Sequence, residues 1–464
     1  MSFSSTVKQA SRGIIFKPRS YQLEGIEWLL AHPDAGLFLS PGLGKTAIVL
    51  SSFRVLKHHG TVNKLLVIAP LRVCSLVWPL ELRKWSNFSN MSIGVLHGPR
   101  KSAILAEDHD IYVINPEGLQ WLEKVIKSKE FSFKKHKWEI VFDESSLFKH
   151  SGSKRFKIVK KLLPQFERSV ILTGTPAPNG LGNVWSQVYL LDQGERLGKY
   201  ITQFRNKYFY PTGYMGYDYK LQKGAAQKIY DKISDIILHK GVEELDLPAR
   251  IDNRIQVTLP KAARDVYESM RESFIAALDE DNVSVAVNAA VASGKLRQIC
   301  NGAVYGDEGN VINLHDEKIG AVDELVATLD GRPLMVFYEF QHDLAKLLKA
   351  FPTAKVLGGG VKTADAEMIV KLWNCNEIPL LLLHPVSAGH GLNLQESDCH
   401  DIAWYSIPWD LELYIQANAR VHRQGVKNAV TIHHIAAKDT IDERIIKALQ
   451  TKSSVQDALL DALS

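Results

Sequence analysis

The residues best equipped for chemistry in this 464-residue chain fall in three short runs. The first is Ser40-Pro41-Gly42-Leu43-Gly44-Lys45-Thr46, with apolar Leu37-Phe38-Leu39 before it and Ala47-Ile48-Val49-Leu50 after it. Strand, glycine-rich turn and helix in that order make a phosphate-binding loop. Gly42 and Gly44 let the backbone N–H groups around Leu43 turn inward on an anion, and the positive end of the helix adds to their field. Lys45 is spaced to reach the outer phosphates of ATP, and the Thr46 hydroxyl to hold Mg²⁺. The strict pattern has another glycine where Leu39 stands, so the match is partial. The second run is Glu139-Ile140-Val141-Phe142-Asp143-Glu144, an apolar strand delivering two carboxylates to its end. Asp143 suits Mg²⁺ and Glu144 suits orienting or deprotonating an attacking water. The third is Gln416-Ala417-Asn418-Ala419-Arg420-Val421-His422-Arg423. Read as a short helix, it sets Arg420 and Arg423 on one face. Two guanidiniums there can grip phosphate oxygens in pairs, and His422 between them reads as a structural partner.

These groups need elements to hold them. Gln22 opens a helix whose face is Leu23, Ile26, Leu29 and Leu30. Its amide can donate to and accept from an adenine edge, although a surface glutamine is the plainer reading. Further buried strands are expected at 64–70, 111–115 and 170–172, and a helix over 75–85 with Trp78, Leu82 and Trp85 on one side. Loops at the carboxyl ends of parallel strands bind ligands, which puts Arg72 in reach of phosphates, while Arg83 reads equally as solvated. Thr173-Gly174-Thr175-Pro176 ends its strand in hydroxyls and suits a loop between a nucleotide and a second ligand. Residues 181–248 are rich in aromatics, among them Trp185, Tyr189, Phe204, Tyr208, Phe209, Tyr210, Tyr214, Tyr217 and Tyr219. Base stacking is one reading of them; the core of a small helical unit is the favoured one. A strand at 251–259 and a helix at 262–278 follow, with the lobe boundary near 250. Strands at 333–338, 355–360, 379–384, 401–405 and 430–436 then predict a second α/β layer. Ser387 to Leu394 is a small-residue loop fit for close approach to a phosphate backbone, and 440–463 is an amphipathic tail read as a bracing helix.

Composition sets outer limits. Net charge is +5, compatible with a polyanion but too weak to demand one. Cys74, Cys300, Cys375 and Cys399 lie far apart, with no zinc-type or CxxC spacing, which reads as reduced thiols in a cytoplasmic protein. The N-terminal residues carry no signal-peptide core, and the longest apolar run, 378–383, falls far short of the about 20 residues that span a bilayer. No membrane association is expected, and His433 and His434 have no metal-ligand spacing around them.

Taken together and in order, these motifs resemble the Swi/Snf-type DNA translocases among the superfamily-two ATPases. The resemblance rests on Tyr21-Gln22 with Gly25, Gly42 to Thr46, Asp143-Glu144 with Lys149, Leu172 to Pro176 with Asn179, Ser387 to Leu394, and Gln416 to Gly425. It implies two RecA-like parallel-sheet lobes in tandem, 1–248 and 249–464, with a small helical protrusion at about 181–248. It implies ATP and Mg²⁺ as ligands, Gln22 and Gln416 at the nucleotide, and Arg420 and Arg423 as arginine fingers. It assigns Arg72, Lys149, Thr175, Ser387 and Trp409 to nucleic acid, with Trp409 against the DNA groove; on the residues alone Trp409 is equally a packed aromatic. The activity implied is tracking along double-stranded DNA by a monomeric motor, in a minimal form like prokaryotic or viral members, in host cytoplasm if viral. A strand-separating or annealing helicase on forked DNA or RNA is the alternative enzyme. A non-catalytic clamp is the third reading, and the full set Lys45, Asp143, Glu144, Arg420 and Arg423 argues against it. The sequence departs from the family pattern at Ser40-Pro41, Ser145-Ser146, His150 and Val426.

Overall fold

The computed structural model describes residues 14–461 except 179, 213–217, 245–246, 281–284, 307, 359–360, 362, 389–393, 395, 424–425 and 427. The chain divides into two compact units, Met1–Leu245 with Ser454–Ser464, and Asp246–Ser453.

The first unit is built on short, almost wholly apolar strands, the signature of a parallel sheet covered on both faces. They are β1 (Asp34–Leu39), β2 (Lys64–Ile68), β3 (Ile93–Val95), β4 (Ile111–Ile114), β5 (Trp138–Asp143) and β6 (Arg168–Thr173). A hairpin, β7 (Phe209–Thr212) with β8 (Asp218–Leu221), and a last strand, β9 (Ile237–Lys240), follow. The sheet order is β3-β4-β2-β5-β6-β1-β9, and every pairing in it is parallel. Register aligns the strand ends: Phe38 pairs with Thr173, and Leu172 with Asp143. The carboxyl ends of β1, β6 and β5 therefore open side by side. At the opposite ends, Arg168 pairs with Glu139 across β6 and β5 at 3.3 Å, and both side chains are buried. The same guanidinium donates to the carbonyls of Leu29 and His32, which pins the end of helix Ser20–Ala31 to the sheet.

Residues 181–248 combine helices with strands. Helices Val184–Asp192, Ile201–Tyr208 and Ala225–Ile233 form, but with a β-hairpin between the second and third. The segment ends in β9, which joins the main sheet beside β1, Leu39 opposite Lys240. The aromatics Trp185, Tyr189, Phe204, Tyr208 and Phe209 are buried in the lobe's own core, not in a separate core of their own. Tyr210 and Tyr219 are exposed, and Tyr214 and Tyr217 lie outside the described residues.

The second unit has the same logic. Its sheet comprises β10 (Arg250–Val257), β13 (Leu334–Phe337), β14 (Lys355–Leu357), β15 (Leu380–Leu383), β16 (Asp401–Trp404) and β17 (Val430–Ala437). Their order is β10-β17-β16-β13-β15-β14, again all parallel, and β11 (Ala303–Tyr305) with β12 (Val311–Asn313) forms a separate hairpin. Phe337 stacks on Trp404 with centroids 4.5 Å apart at the centre of this core. A buried ammonium lies within it: Lys318 Nζ donates to Asn301 Oδ1 at 2.9 Å and the Tyr405 carbonyl at 3.0 Å, and pairs with Asp442 at 2.8 Å. Saturating all three donors is what makes a buried ammonium tolerable. Helix Ile441–Asp461 begins beside it and sends Ile445 and Leu449 into the core. No helix among the described residues is long and apolar enough to cross a membrane.

Candidate active site

The turn after β1 is shaped by two left-handed glycines, Gly42 (φ 93°) and Gly44 (φ 78°), which any side chain would strain. A Cβ on Gly44 would also sit 2.6 Å from Gln22 Nε2. Helix Lys45–His58 starts directly from that turn, and the Ile48 N–H bonds to the Gly44 carbonyl at 3.1 Å. Lys45 folds back over its own loop, its Nζ donating to the Leu39 carbonyl at 2.7 Å and lying 3.4 Å from that of Ser40. Gln22 is held at the loop rather than at the surface. Its Oε1 accepts from the Arg19 N–H at 3.0 Å, and its Nε2 donates to the Leu43 carbonyl at 3.2 Å. Both ends of the amide expected to meet adenine thus have backbone partners in the loop and its flanking helix.

Asp143 ends β5, one strand from the loop. Its Oδ2 accepts from the indole N–H of Trp78 at 2.8 Å, and Trp78 is fully buried. Burial raises the Asp143 pKa, against the Trp78 bond and the nearby Lys45 charge. Burial lowers that of Lys45, against the Glu144 and Asp143 carboxylates. Lys45 interacts electrostatically with both carboxylates, and all three side chains are half-buried. Glu144 adopts a left-handed backbone (φ 67°, ψ 68°), a conformation costing a non-glycine residue on the order of 1 kcal/mol or more. That twist turns its side chain toward β6, where Oε1 accepts from Thr173 Oγ1 at 2.9 Å and from Ser146 Oγ at 3.2 Å.

The loop after β6 closes the group. Thr173 Oγ1 also accepts from the Thr175 N–H at 2.9 Å. A Cβ on Gly174 would fall 2.9 Å from Pro41, so the two loops touch only because position 174 is glycine. A second tie runs behind them. Ser145 Oγ donates to Gln187 Oε1 at 2.7 Å, and Gln187 Nε2 donates to the carbonyls of Pro176 at 2.6 Å and Asn183 at 3.1 Å. Ser145 and Gln187 are both buried completely. The first unit thus gathers Gln22, the Gly42–Thr46 turn, Asp143, Glu144 and Thr173 at one edge of its sheet. Sequence reasoning missed three of the residues that fix them: Trp78, Ser145 and Gln187.

The other named residues fare differently. Thr175, expected to meet nucleic acid, is 1% exposed with its hydroxyl enclosed, so it offers no surface donor. Arg72 caps the π-helical turn Val73–Val77 that replaces the first part of the helix expected over 75–85; the α-helix proper is Trp78–Lys84. Lys149 follows the 3₁₀ turn Ser145–Phe148, and Asn179 lies outside the described residues. In the second unit, Ser387 falls in the short helix Pro385–Ala388, while 389–393 lie outside the described residues. Trp409 is part-exposed and donates its indole N–H to Ser293 Oγ at 2.9 Å.

The arginine motif needs a correction. Its helix is Leu411–Asn418, so Gln416 is helical and buried, but Arg420 and Arg423 lie beyond the end. The chain tightens there: the Arg420 N–H bonds to Ala417 and the Val421 N–H to Asn418, three residues back instead of four. Asn418 is the last helical residue, and its Oδ1 accepts the Trp404 indole N–H at 3.0 Å. The two guanidiniums therefore stand on a turn, not on one helical face. Burial lowers the Arg423 pKa.

The SNF2-related domain model matches residues 21–304, and the helicase conserved C-terminal domain model matches 317–425. Protein p41 of Acyrthosiphon pisum secondary endosymbiont phage 1 is 36% identical over 97% of this chain and 99% of its own length. An uncharacterized ATP-dependent helicase of Mycoplasma genitalium is 25% identical over 94% of this chain, and the nuclear protein STH1/NPS1 of Saccharomyces cerevisiae is 25% identical over 96%. The chain spans only 42% and 35% of those two cellular proteins. Among solved structures, the Sulfolobus solfataricus SWI2/SNF2 ATPase core in complex with dsDNA aligns over 97% of this chain and 94% of that one, at 23% identity and a TM-score of 0.44. By the family match over most of its length and the phage relative, this chain belongs to the SNF2-related family, and it is the ATP-hydrolysing motor core of a helicase-like enzyme.

Proposed function

We propose that the chain couples ATP hydrolysis to translocation along double-stranded DNA. One observation carries this reading. The carboxylate loop at Asp143–Glu144 and the loop at Thr173–Pro176 are joined twice, through Thr173 to Glu144 and through Gln187 between Ser145 and Pro176. A hydrolytic site wired to a neighbouring loop is what a motor needs, because a change at the phosphate must be felt at a second ligand.

In this reading Lys45 and the backbone amides of Gly42 to Thr46 bind the triphosphate, and Glu144 orients the attacking water. Thr173 holds the Glu144 carboxylate in place. The donor set of the Asp143 carboxylate and the Thr46 hydroxyl consists of hard oxygens and fits Mg²⁺. Bound there, Mg²⁺ would neutralise phosphate charge. Arg420 and Arg423 are proposed as arginine fingers for the triphosphate, a contribution worth roughly 10³–10⁵ in rate on related chemistry. Arg72, Lys149, Ser387 and Trp409 are proposed to meet the duplex, largely through phosphates and therefore with little sequence preference and strong salt dependence. The motor is proposed to act as a monomer.

The test is steady-state ATP hydrolysis without nucleic acid and with duplex DNA, single-stranded DNA or RNA, with Lys45→Ala as the control. Stimulation by duplex DNA, absent from Lys45→Ala, is expected. Stimulation by single strands or RNA alone would replace translocation on duplexes with strand-separating activity.

A further inference from the structure

The loop that follows β16 is held along one face of a single helix. Helix Val285–Cys300 presents Ser293 and Arg297 four residues apart. Asn301 continues the series, its N–H still bonded to the Arg297 carbonyl at 3.0 Å. Residues spaced by four lie one above another on a helix. Each of these three takes a different part of the loop. Asn301 Nδ2 donates to Ser406 Oγ at 2.9 Å, and the Asn301 carbonyl accepts from the Tyr405 hydroxyl at 2.6 Å. Arg297 Nη2 donates to the Ile407 carbonyl at 2.9 Å. Ser293 Oγ accepts the Trp409 indole N–H at 2.9 Å. Loop and helix therefore run past each other in opposite directions, bonded at three levels.

Further ties fix the rest of the loop. Lys452 Nζ donates to the Trp409 carbonyl at 2.7 Å. Asp410 Oδ1 accepts from the N–H groups of Glu412 and Leu413 at 2.9 and 3.1 Å, which caps helix Leu411–Asn418. Arg297 also pairs with both carboxylate oxygens of Glu339, just beyond β13. Phe337 lies opposite Trp404 in the register of β13 and β16, so one guanidinium joins the loops at two adjacent carboxyl ends. That edge is where parallel sheets take their ligands. The outcome is not burial of the whole loop. Tyr405, Ser406 and Ile407 are buried, but Trp409 at the end of the series stays 37% exposed. A buried indole N–H must find a protein partner, whereas one on a ring this exposed could bond to water instead. The Ser293 bond therefore fixes the direction of an exposed ring, and with the N–H engaged that ring offers its surface rather than a donor.

We infer that Ser293 is a positioning residue for the duplex contact: on a loop anchored by Arg297 and Asn301, it presets the Trp409 ring at the ligand edge of the second sheet. A side chain already fixed in its bound direction loses little further freedom when the ligand arrives, and this raises affinity without any new contact. The inference rests on the proposed contact of Trp409 with duplex DNA and identifies what sets that contact.

The experiment uses the whole protein and a fluorescein-labelled DNA duplex, with binding read by anisotropy and folding of each variant checked by a thermal melt. Ser293→Ala is expected to bind the duplex about three- to tenfold more weakly, the weight of one hydrogen bond, and Ser293→Thr, which keeps the hydroxyl, to bind like the parent. Trp409→Phe keeps a ring but has no N–H, so it shows a loss of its own. Adding Ser293→Ala to Trp409→Phe is expected to cost nothing more, because Ser293 acts through that N–H alone. A serine with a merely structural role would instead multiply the two losses, and that result overturns the inference. So does a Ser293→Ala protein that binds like the parent while Trp409→Ala binds more weakly, an outcome that leaves the duplex contact standing. A folded Trp409→Ala protein with the parent's affinity refutes the duplex contact of Trp409 itself, and this inference with it.

Discussion

Thr173→Val isolates the bond on which the hydrolytic geometry turns. Thr173 is wholly buried, and its Oγ1 does two things: it donates to Glu144 Oε1 at 2.9 Å and accepts from the Thr175 N–H at 2.9 Å. Valine keeps the shape and removes both bonds. A hydrogen bond to a charged acceptor is worth about 1.5–3 kcal/mol. If that energy serves only to aim Glu144, its loss appears in kcat as a fall of about 10- to 100-fold. The second bond affects stability instead, since an unsatisfied buried N–H costs about 1–3 kcal/mol. For a lobe of 150–250 residues that is about 2–4 °C of Tm per kcal/mol. The assay is ATP turnover at saturating ATP beside a thermal melt, with Thr173→Ser as the companion because serine retains both bonds. A folded Thr173→Val enzyme with kcat within twofold of the parent refutes the role given to Thr173. So does an equal loss in Thr173→Ser, which would trace the effect to the methyl group.

Three further perturbations follow from the geometry. Trp78→Phe removes the indole donor from Asp143 Oδ2 and keeps an aromatic ring in the core; the Mg²⁺ concentration for half-maximal hydrolysis is expected to rise about tenfold, with the ATP KM at saturating Mg²⁺ unchanged, and an unshifted Mg²⁺ titration would refute it. Arg168→Met leaves Glu139 buried and unpaired, which costs about 3–5 kcal/mol in a denaturant melt, while adding Glu139→Leu restores much of it; a loss under 1 kcal/mol would show that the pair is incidental. His434 is held neutral in the second core, its pKa pushed down to about 4, chiefly by burial, while the nearby Asp252 charge raises it and that of Arg250 lowers it. Its Nε2 shares a hydrogen bond with the Tyr414 hydroxyl at 2.8 Å. The unfolded chain binds a proton there near pH 6.5 and the folded chain does not, so stability is complete above pH 6.5 and falls as pH drops toward 4, by about 3 kcal/mol in all. Equilibrium unfolding of the parent and His434→Gln across that range checks it, and the two curves should diverge from pH 6.5 downward.

The sheet cores were legible because parallel strands buried on both faces leave continuous apolar runs, as in Leu37-Phe38-Leu39 and Leu380 to Leu383. The catalytic candidates were legible for a related reason: phosphate chemistry needs glycine, lysine and carboxylates at strand ends, and those stand out against apolar neighbours. What escaped was whatever depends on a partner far along the chain. Strand β9 is four residues long and carries His239 and Lys240; only pairing with β1 makes it a strand. Trp78 reads as one more apolar residue on a short helix, because nothing local shows that its N–H meets a carboxylate 65 positions away. Gln187 sits amid Val184, Trp185, Val188 and Tyr189, where a glutamine looks like a solvent-facing interruption; it is in fact buried and bonded at both ends. The arginine motif failed in the opposite direction. Its spacing suits a helix, but that helix ends at Asn418, two residues before Arg420, and the chain continues as a tighter turn.

The departures at Ser145 and Ser146 acquire a physical sense from these bonds. Ser145 Oγ reaches Gln187 and ties the carboxylate loop to its neighbour, whereas Ser146 Oγ reaches Glu144 Oε1 within the loop itself. Both serines are buried, where an unbonded hydroxyl would cost free energy, and both are bonded. Glu144 Oε1 then accepts from two hydroxyls, Ser146 and Thr173, while its backbone is held in a strained left-handed turn. A residue held from both sides in an unfavourable backbone conformation has few alternative positions, which is what orienting a water against a phosphate requires. The same bonds make the arrangement conditional. Any movement of the Thr173–Pro176 loop shifts Thr173 and Gln187 together, and with them both the Glu144 carboxylate and the Ser145 turn beside it. On the proposed reading, a ligand that moves that loop would set the rate of hydrolysis without touching the phosphates.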